Sequence, residues 1–475
     1  MQNRSTIPDH IARHQEDLKG LADRVWATPE LLYGEFRSCD AHVEMLEAKG
    51  FRVTRELAGL PTAVMGEAGE GGPVIAILGE YDALPGLSQE AGLDYHSEVE
   101  GGGNGHGCGH NLLGSASLLA ACALKDWLAA TGTPGRVRYY GCPAEEGGAA
   151  KAFMVRDGAF DDVDAAVTWH PGGITRVDDP LALANTRIDF TFTGRSSHAA
   201  ATPHLGRSAL DAVELMSVGV NYLREHMVQD ARIHYAYLDA GGRAPNVVQA
   251  KATVRYSIRA LKLPEMLSLV ERVKKVAEGA ALMTETKVEP KIFSAVSNHL
   301  ENLTLDKAMQ AVLDEIGGVP FDDTDRVYAA QIRATLSEND IAAEFAVINQ
   351  APGAEVLCDW VAPFRPGGEQ MLGSTDVGDV TWKVPTTEVL VATAAIGTPL
   401  HSWQMTAQGK SPGAHKGMIH AATAMARLGE KLISDPALLA EAKREHAGRL
   451  ARSPFVSPIP PEVQAPILTR EEALG

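Results

Sequence analysis

Side chains able to bind a metal ion or move a proton recur beside apolar, strand-like runs along this chain. Asp82 ends VIAILGEYD, Cys108 and His110 lie in GHGCGHN, Glu145 and Glu146 end RVRYYGCPAEE, His170 lies in DAAVTWHP, and His401 closes VLVATAAIGTPLH. In an open α/β sheet the carboxyl ends of the strands converge on one crevice, so groups distant in sequence become neighbours there. The pattern therefore describes one assembled site.

The residue types specify the chemistry. Cys108 and His110 are one residue apart, so in an extended loop both point the same way; glycines 105, 107 and 109 give that loop room to wrap an ion. Asn111 is then placed to cap the next helix. His106 lies on the same alternating face and reads as a structural or supporting residue. Glu145 and Glu146 are adjacent, so they point in opposite directions: one can bind metal while the other takes a proton from water. His170 and His401 complete a mixed nitrogen, oxygen and sulfur set. Thiolate with imidazoles suits zinc, and the carboxylates keep manganese and cobalt open.

The elements that must position these groups read as an interrupted α/β fold. Helical periodicity runs from Thr6 to about Lys49, followed by the strands FRVTREL, TAVMGEA, PVIAILGE, RVRYYGC and AAVTWH. A helix from Leu112 to Ala130 lies between them, and the alternation predicts a mainly parallel, three-layer sheet. From residue 187 the order becomes strand, helix, strand, strand, helix, strand, the ferredoxin-like unit. The domains expected are thus 1–186 with 299–475, and an insert at 187–298. EVLVATAAI returns to the first sheet and HKGMIHAATAMARLGEKLI is a closing helix. Residues 315–370, helical and acidic and then Pro/Gly-rich at APFRPGGEQ, read as a cap over the cleft. The proline-rich tail from Ser453 reads as an extension that is either ordered by contact or mobile.

Composition narrows the class. Of 475 residues, 45% are hydrophobic and 22% charged, ordinary for a globular chain. Forty-three basic against 61 acidic side chains give a net charge of -18, which opposes nucleic-acid or anionic-membrane binding. Five cysteines without paired spacing, and no signal-like N-terminus, point to a cytoplasmic protein.

Together GEYDALPG, GHGCGHN, CPAEEGG, TWHP, GRSSHAA and GTPLH resemble the aminoacylase/carboxypeptidase family of dinuclear metallopeptidases, in its amidohydrolase branch. The resemblance covers nearly the whole chain. It implies two divalent ions per subunit, Cys108 as bridging ligand, His110, Glu146, His170 and His401 as the other ligands, and Glu145 as general base. Asp82 would orient a ligand from behind. It further implies that the insert is a dimerisation and lid domain, that His198 in SSHAA reaches a partner subunit's site to stabilise an oxyanion, and that Asn246 and Arg259 contact a substrate carboxylate. Asp376 and Asp379, in STDVGDV, read as capping or supporting groups. The wider family has His-x-Asp where this chain has Glu80-Tyr81-Asp82, and an aspartate bridge where it has Cys108.

The activity implied is hydrolysis of an N-acyl, aryl-carboxamide bond to an amino acid, with p-aminobenzoyl-glutamate as leading substrate. The same chemistry could serve another N-acyl amino acid, a dipeptide or an aromatic amine. A homodimer, possibly with a related second subunit, is the expected assembly. The rivals of another class are a non-catalytic partner or regulatory subunit, which the intact ligand set opposes, and a binding module with a structural metal. A closed structural site needs no spare base such as Glu145.

Overall fold

A computed structural model describes residues 5–178, 182–367 and 373–474. Its strands are β1 (Arg52–Arg55), β2 (Val64–Glu70), β3 (Val74–Glu80), β4 (Gly135–Cys142), β5 (Ala165–Gly172), β6 (Arg176–Asp178), β7 (Ala184–Thr193), β8 (Arg232–Asp239), β9 (Lys251–Ala260), β10 (Lys287–Val296) and β11 (Thr386–Ala392). The helices are α1 (Ile7–Trp26), α2 (Phe36–Ala48), α3 (His110–Thr131), α4 (Ala150–Arg156), α5 (Ala209–Leu223), α6 (Leu263–Thr284) and α7 (Leu303–Ile316). There follow α8 (Asp323–Arg333), α9 (Glu338–Val347), α10 (Val377–Lys383), α11 (Trp403–Gln408), α12 (Pro412–Ser434), α13 (Pro436–Arg452) and α14 (Arg470–Leu474).

The larger sheet has the order β1-β2-β4-β3-β5-β11-β6. Its central strands β4, β3, β5 and β11 are mutually parallel, and antiparallel strands close both edges. Every residue of β3 is buried, as a strand covered on both faces requires. Helix α3 is apolar nearly all round and lies in the core between α1, α12 and the sheet. Among the described residues it is the one helix long and apolar enough to cross a membrane, and that apolar surface is taken up by the core.

The second sheet is antiparallel, in the order β10-β7-β9-β8, with α5 and α6 on one face. Burial alternates with period two along β7 and β9: Ile188, Phe190, Val254, Tyr256 and Ile258 face the helices in a separate core. The opposite face presents Asn185, Arg187, Asp189, Arg255, Ser257 and Arg259. Since β7 pairs with β10, the unit's first and last strands are neighbours.

Several details depart from the sequence reading. The edge strand β6 and the helix α13 are additional elements, and the larger sheet continues only as far as Ala392. Residues 303–347 form three helices, two opened by capping boxes at Asp322/Asp325 and Ser337/Asp340. They and the following loop add Val319, Ile332, Phe345, Leu357 and Cys358 to the main core, so this segment is built into the larger unit; residues 368–370 of APFRPGGEQ lie outside the described residues. The tail is ordered by contact: Ile459 is buried, and Arg156 donates to the carbonyls of Pro460 and Val463.

Candidate metal and catalytic site

The parallel strands deliver the candidate groups to one edge of the sheet. Glu80 ends β3 and is level with Cys142 of β4; Asp82 follows two residues later. His170 sits inside β5 beside Leu390 of β11, and His401 lies in the loop after β11, its N–H donating to Gly107 O at 2.8 Å. His110 is the first residue of α3.

Cys108 and His110 converge through a turn, not through strand alternation. Gly109 between them has φ of 75°, and a Cβ there would lie 2.9 Å from Pro171 and Met405, so glycine answers both conformation and space. Asn111 does not cap the helix. It lies within α3, and its amide donates to the carbonyls of Ala22 and Gly409, tying the helix start to two other segments.

Donor atoms of Cys108, His110 and His170 lie within 4.8 Å of one another, as do those of Cys108, Glu146 and His401. Cys108 is common to both sets. Its Sγ is 3.4 Å from His170 Nε2, and His401 Nε2 is 3.2 Å from Glu146 Oε2. A third set joins Glu80, His110 and Glu145, with Glu80 Oε2 3.3 Å from His110 Nε2.

The supporting contacts aim these donors inward. His110 Nδ1 donates to Asp82 Oδ1 at 2.9 Å, leaving Nε2 for the site, and His170 Nδ1 donates to Pro171 O at 2.8 Å with the same result. The other oxygen of Asp82 accepts from the Glu146 N–H at 2.9 Å. His110 Nε2 and Glu146 Oε1 are buried without a hydrogen-bond partner, although buried polar atoms are normally satisfied. Orphaned imidazole and carboxylate atoms beside a buried thiol are what a divalent cation would fill, so the residues fit the metal ions expected of them.

The segment between β4 and α4 carries both glutamates and is held at several points. Ala144 N–H donates to Glu35, Tyr33 OH to Gly148 O at 2.8 Å, and Arg187 Nη1 to Gly147 O at 3.0 Å. A Cβ on Gly148 would lie 2.4 Å from Tyr33 Cε2, which excludes any larger residue. Ala144, Ala149 and His401 all take left-handed backbone conformations, with φ of 57°, 58° and 58°.

Electrostatics separate the two glutamates. Burial and the carboxylates of Glu80, Asp376 and Glu146 push Glu145 well above the usual carboxylate range, with Lys151 opposing. Burial also acts upward on Glu146, but the hydrogen bond from His401 and the charge of His110 bring it down to about 2. One is suited to hold a proton and the other to stay ionised.

Further residues belong to this environment. Lys151, wholly buried, has Nζ 2.5 Å from Glu80 and 2.5 Å from Asp376; Asp376 thus neutralises a buried lysine and also accepts from the Lys151 N–H in the first turn of α4 at 2.9 Å, while its side chain does not cap its own helix α10. Asp379 accepts from Ser297. His106 supports the site from a distance: its Nε2 meets Val25 O at 3.0 Å and so ties the glycine-rich loop to the end of α1.

A cavity of about 240 Å³ opens beside the cluster, lined by Glu145, Glu146 and His401 on one side and Asn185, Arg187 and Arg259 of the second sheet on the other. His198 and Asn246 are not among its lining residues. They are exposed and adjacent, the Ala199 N–H donating to Asn246 O at 3.0 Å.

A family model, peptidase family M20/M25/M40, matches residues 76–342. One subunit type of p-aminobenzoyl-glutamate hydrolase from Escherichia coli (strain K12) is 46% identical over 96% of this chain and 97% of its own length. The other subunit type of that enzyme is 30% identical, over 49% of this chain and 54% of its own. Among solved structures, a dinuclear metal-binding M20 peptidase from Bacillus subtilis superposes with a TM-score of 0.57 at 18% identity, covering 89% of this chain and 99% of that one.

Proposed function

The chain belongs to the M20/M25/M40 peptidase family and is a hydrolase of amide bonds; from this we propose that it cleaves p-aminobenzoyl-glutamate to p-aminobenzoate and glutamate. The observation that carries the chemistry is Glu145, which stands outside both Cys108-sharing donor sets yet beside them. The likeness to the E. coli hydrolase subunit over nearly its full length supports the substrate.

In this reading Cys108, His110 and His170 hold one divalent ion and Cys108, Glu146 and His401 the other, with zinc favoured by the thiolate and imidazoles and manganese or cobalt as alternatives. Bound there, the ions supply Lewis-acid polarisation of the amide carbonyl and a lowered pKa for water. Asp82 fixes the His110 ring and the Glu146 backbone. Glu145 takes the proton of the attacking water and returns it to the leaving amide nitrogen, a role suited to a carboxyl held above its usual range. Arg259 binds a carboxylate of the substrate within the cavity.

The insert at 187–298 serves as a dimerisation and lid domain. Exposed apolar residues on α5 and β8, among them Val218, Tyr222, Tyr235 and Tyr237, support a second copy docking on this unit. His198 and Asn246 then act on the partner's site, His198 on the oxyanion. The relative among the other subunit type makes a related second chain the alternative partner. Five unpaired cysteines favour a reducing cytoplasm.

The test is turnover of p-aminobenzoyl-glutamate by zinc- or manganese-loaded protein, with Glu145→Gln as control. The wild type should release glutamate, and the variant should keep its metal content while losing about 100-fold or more in kcat. Near-normal turnover by the fully loaded variant would rule out Glu145 as base.

A further inference from the structure

The polar face of the second sheet carries three arginines, Arg187, Arg255 and Arg259, and only one of them is neutralised. Arg255 forms a two-point pair with Asp189, at 2.6 and 2.9 Å. Arg187 donates to Gly147 O, and Arg259 Nε meets Ser257 Oγ at 3.5 Å. Among the described residues neither has a carboxylate within ion-pair distance. Both line the 240 Å³ cavity that also holds Glu145 and His401.

The strand register sets their spacing. Arg259 is the cross-strand partner of Asn185, and Arg187 lies two residues further along β7, opposite Ser257. Both side chains therefore rise from one face as diagonal neighbours, residues about 7–8 Å apart with their Cβ atoms somewhat closer. Two half-buried guanidinium groups this close repel each other and lose hydration; burial and then the charges of Arg259 and Arg255 lower the pKa of Arg187, outweighing Glu145 and Glu146, which act the other way. Such an arrangement is unfavourable in an empty cavity and favourable around two anionic groups, because guanidinium forks match carboxylates in pairs. Ser374, which also lines the cavity, has a buried hydroxyl with no partner and adds a neutral donor.

We infer that Arg187 is a specificity-determining residue, paired with Arg259 to bind the two carboxylates of a dicarboxylic amino acid leaving group. This rests on the amidohydrolase reading above, and it assigns to Arg187 the carboxylate that Arg259 does not take. The Gly147 contact places the same guanidinium next to the loop bearing Glu145, so the leaving group is gripped close to the bond that breaks.

The experiment compares p-aminobenzoyl-glutamate with p-aminobenzoyl-glutamine, which share the reacting amide and differ in one charge. Wild-type protein should prefer the glutamate compound by about 30-fold or more in kcat/KM, since an unpaired buried charge discriminates at that level. Arg187→Gln should shrink the preference to within about threefold, mainly through a higher KM for the glutamate compound, and Arg187→Lys should restore part of it. Equal losses on both substrates in Arg187→Gln would mean that Arg187 only tethers the Gly147 loop, and would overturn the inference. Calorimetry with free glutamate and free glutamine separates this from the proposed activity. If neither aryl substrate is cleaved, tighter binding of glutamate that disappears in Arg187→Gln supports the dicarboxylate subsite and rejects the aryl substrate. Equal binding of the two amino acids by wild type overturns the subsite.

Discussion

Asp82→Asn isolates what one buried carboxylate contributes without changing the size of the side chain. Asp82 is wholly buried and accepts two hydrogen bonds, from His110 Nδ1 and from the Glu146 N–H, each at 2.9 Å. Both donors belong to residues of the candidate ligand sets. Asparagine offers one oxygen and one NH2 group, so whichever way the amide turns, an N–H faces an N–H. The loss is at least one hydrogen bond to a charged acceptor, about 1.5–3 kcal/mol. If that cost falls on the ion-binding geometry, zinc affinity drops by about 10–100-fold, at about 1.4 kcal/mol per decade. Chelator-competition titrations on wild type and variant, with bound zinc counted by elemental analysis, measure it directly. Zinc affinity within about twofold of wild type, in a variant with normal unfolding in the metal-free state, would refute the claim that Asp82 orients the ligands.

Lys151→Met leaves Glu80 and Asp376 buried without their shared cation, so unfolding stability in urea should fall by about 3–5 kcal/mol. Adding Asp376→Asn should recover part of the loss, and a single variant within about 1 kcal/mol of wild type would contradict the network. Acid should weaken the fold through His42 and His420, whose pKa values burial lowers from 6.5 to about 4 in each case. Because each folded value lies below the unfolded one, the unfolded chain takes the proton first, and stability declines as pH falls from about 6.5 toward 4. The expected slope is up to about 1.4 kcal/mol per pH unit for each histidine. Urea midpoints across that range for wild type and a His42→Gln, His420→Gln double variant check it; parallel curves would reject it.

The strand and helix alternation is legible because β3 is an apolar run and β4 and β5 are rich in Val, Tyr and Trp, and the second sheet because β7 and β9 alternate so regularly. Strand placement accounts for Glu146 after β4, His170 near the end of β5 and His401 after β11, whereas Cys108 and His110 enter from the start of α3. Other features leave weaker traces. Strand β6 has three residues, two of them charged, too few for any periodicity. Glu80 ends an apolar strand, where a carboxylate needs a buried partner, but its partner Lys151 lies far along the chain on α4 and looks like one cation in AAKAFMV. Arg187 alternates with Ile188 as a solvent-facing residue would; only the tertiary arrangement turns that polar face toward the cavity. The one-residue spacing of Cys108 and His110 suggests an extended loop, whereas a left-handed glycine brings them together, because alternation rules stop at a helix start.

The loop that bears Glu145 and Glu146 begins and ends on alanines with left-handed backbones, Ala144 and Ala149. A glycine at either position would adopt that conformation with less strain, by about 1–2 kcal/mol, but it would also free the chain to swing. Alanine makes each end of the loop a stiff joint that has only one comfortable closure once Tyr33, Glu35 and Asp82 grip the backbone between and beside them. The backbone on either side of the two carboxylates is thereby held at Ala144, Glu146 and Gly148. The chain accepts local discomfort at two alanines in exchange for a loop whose ends leave its glutamates little room to move.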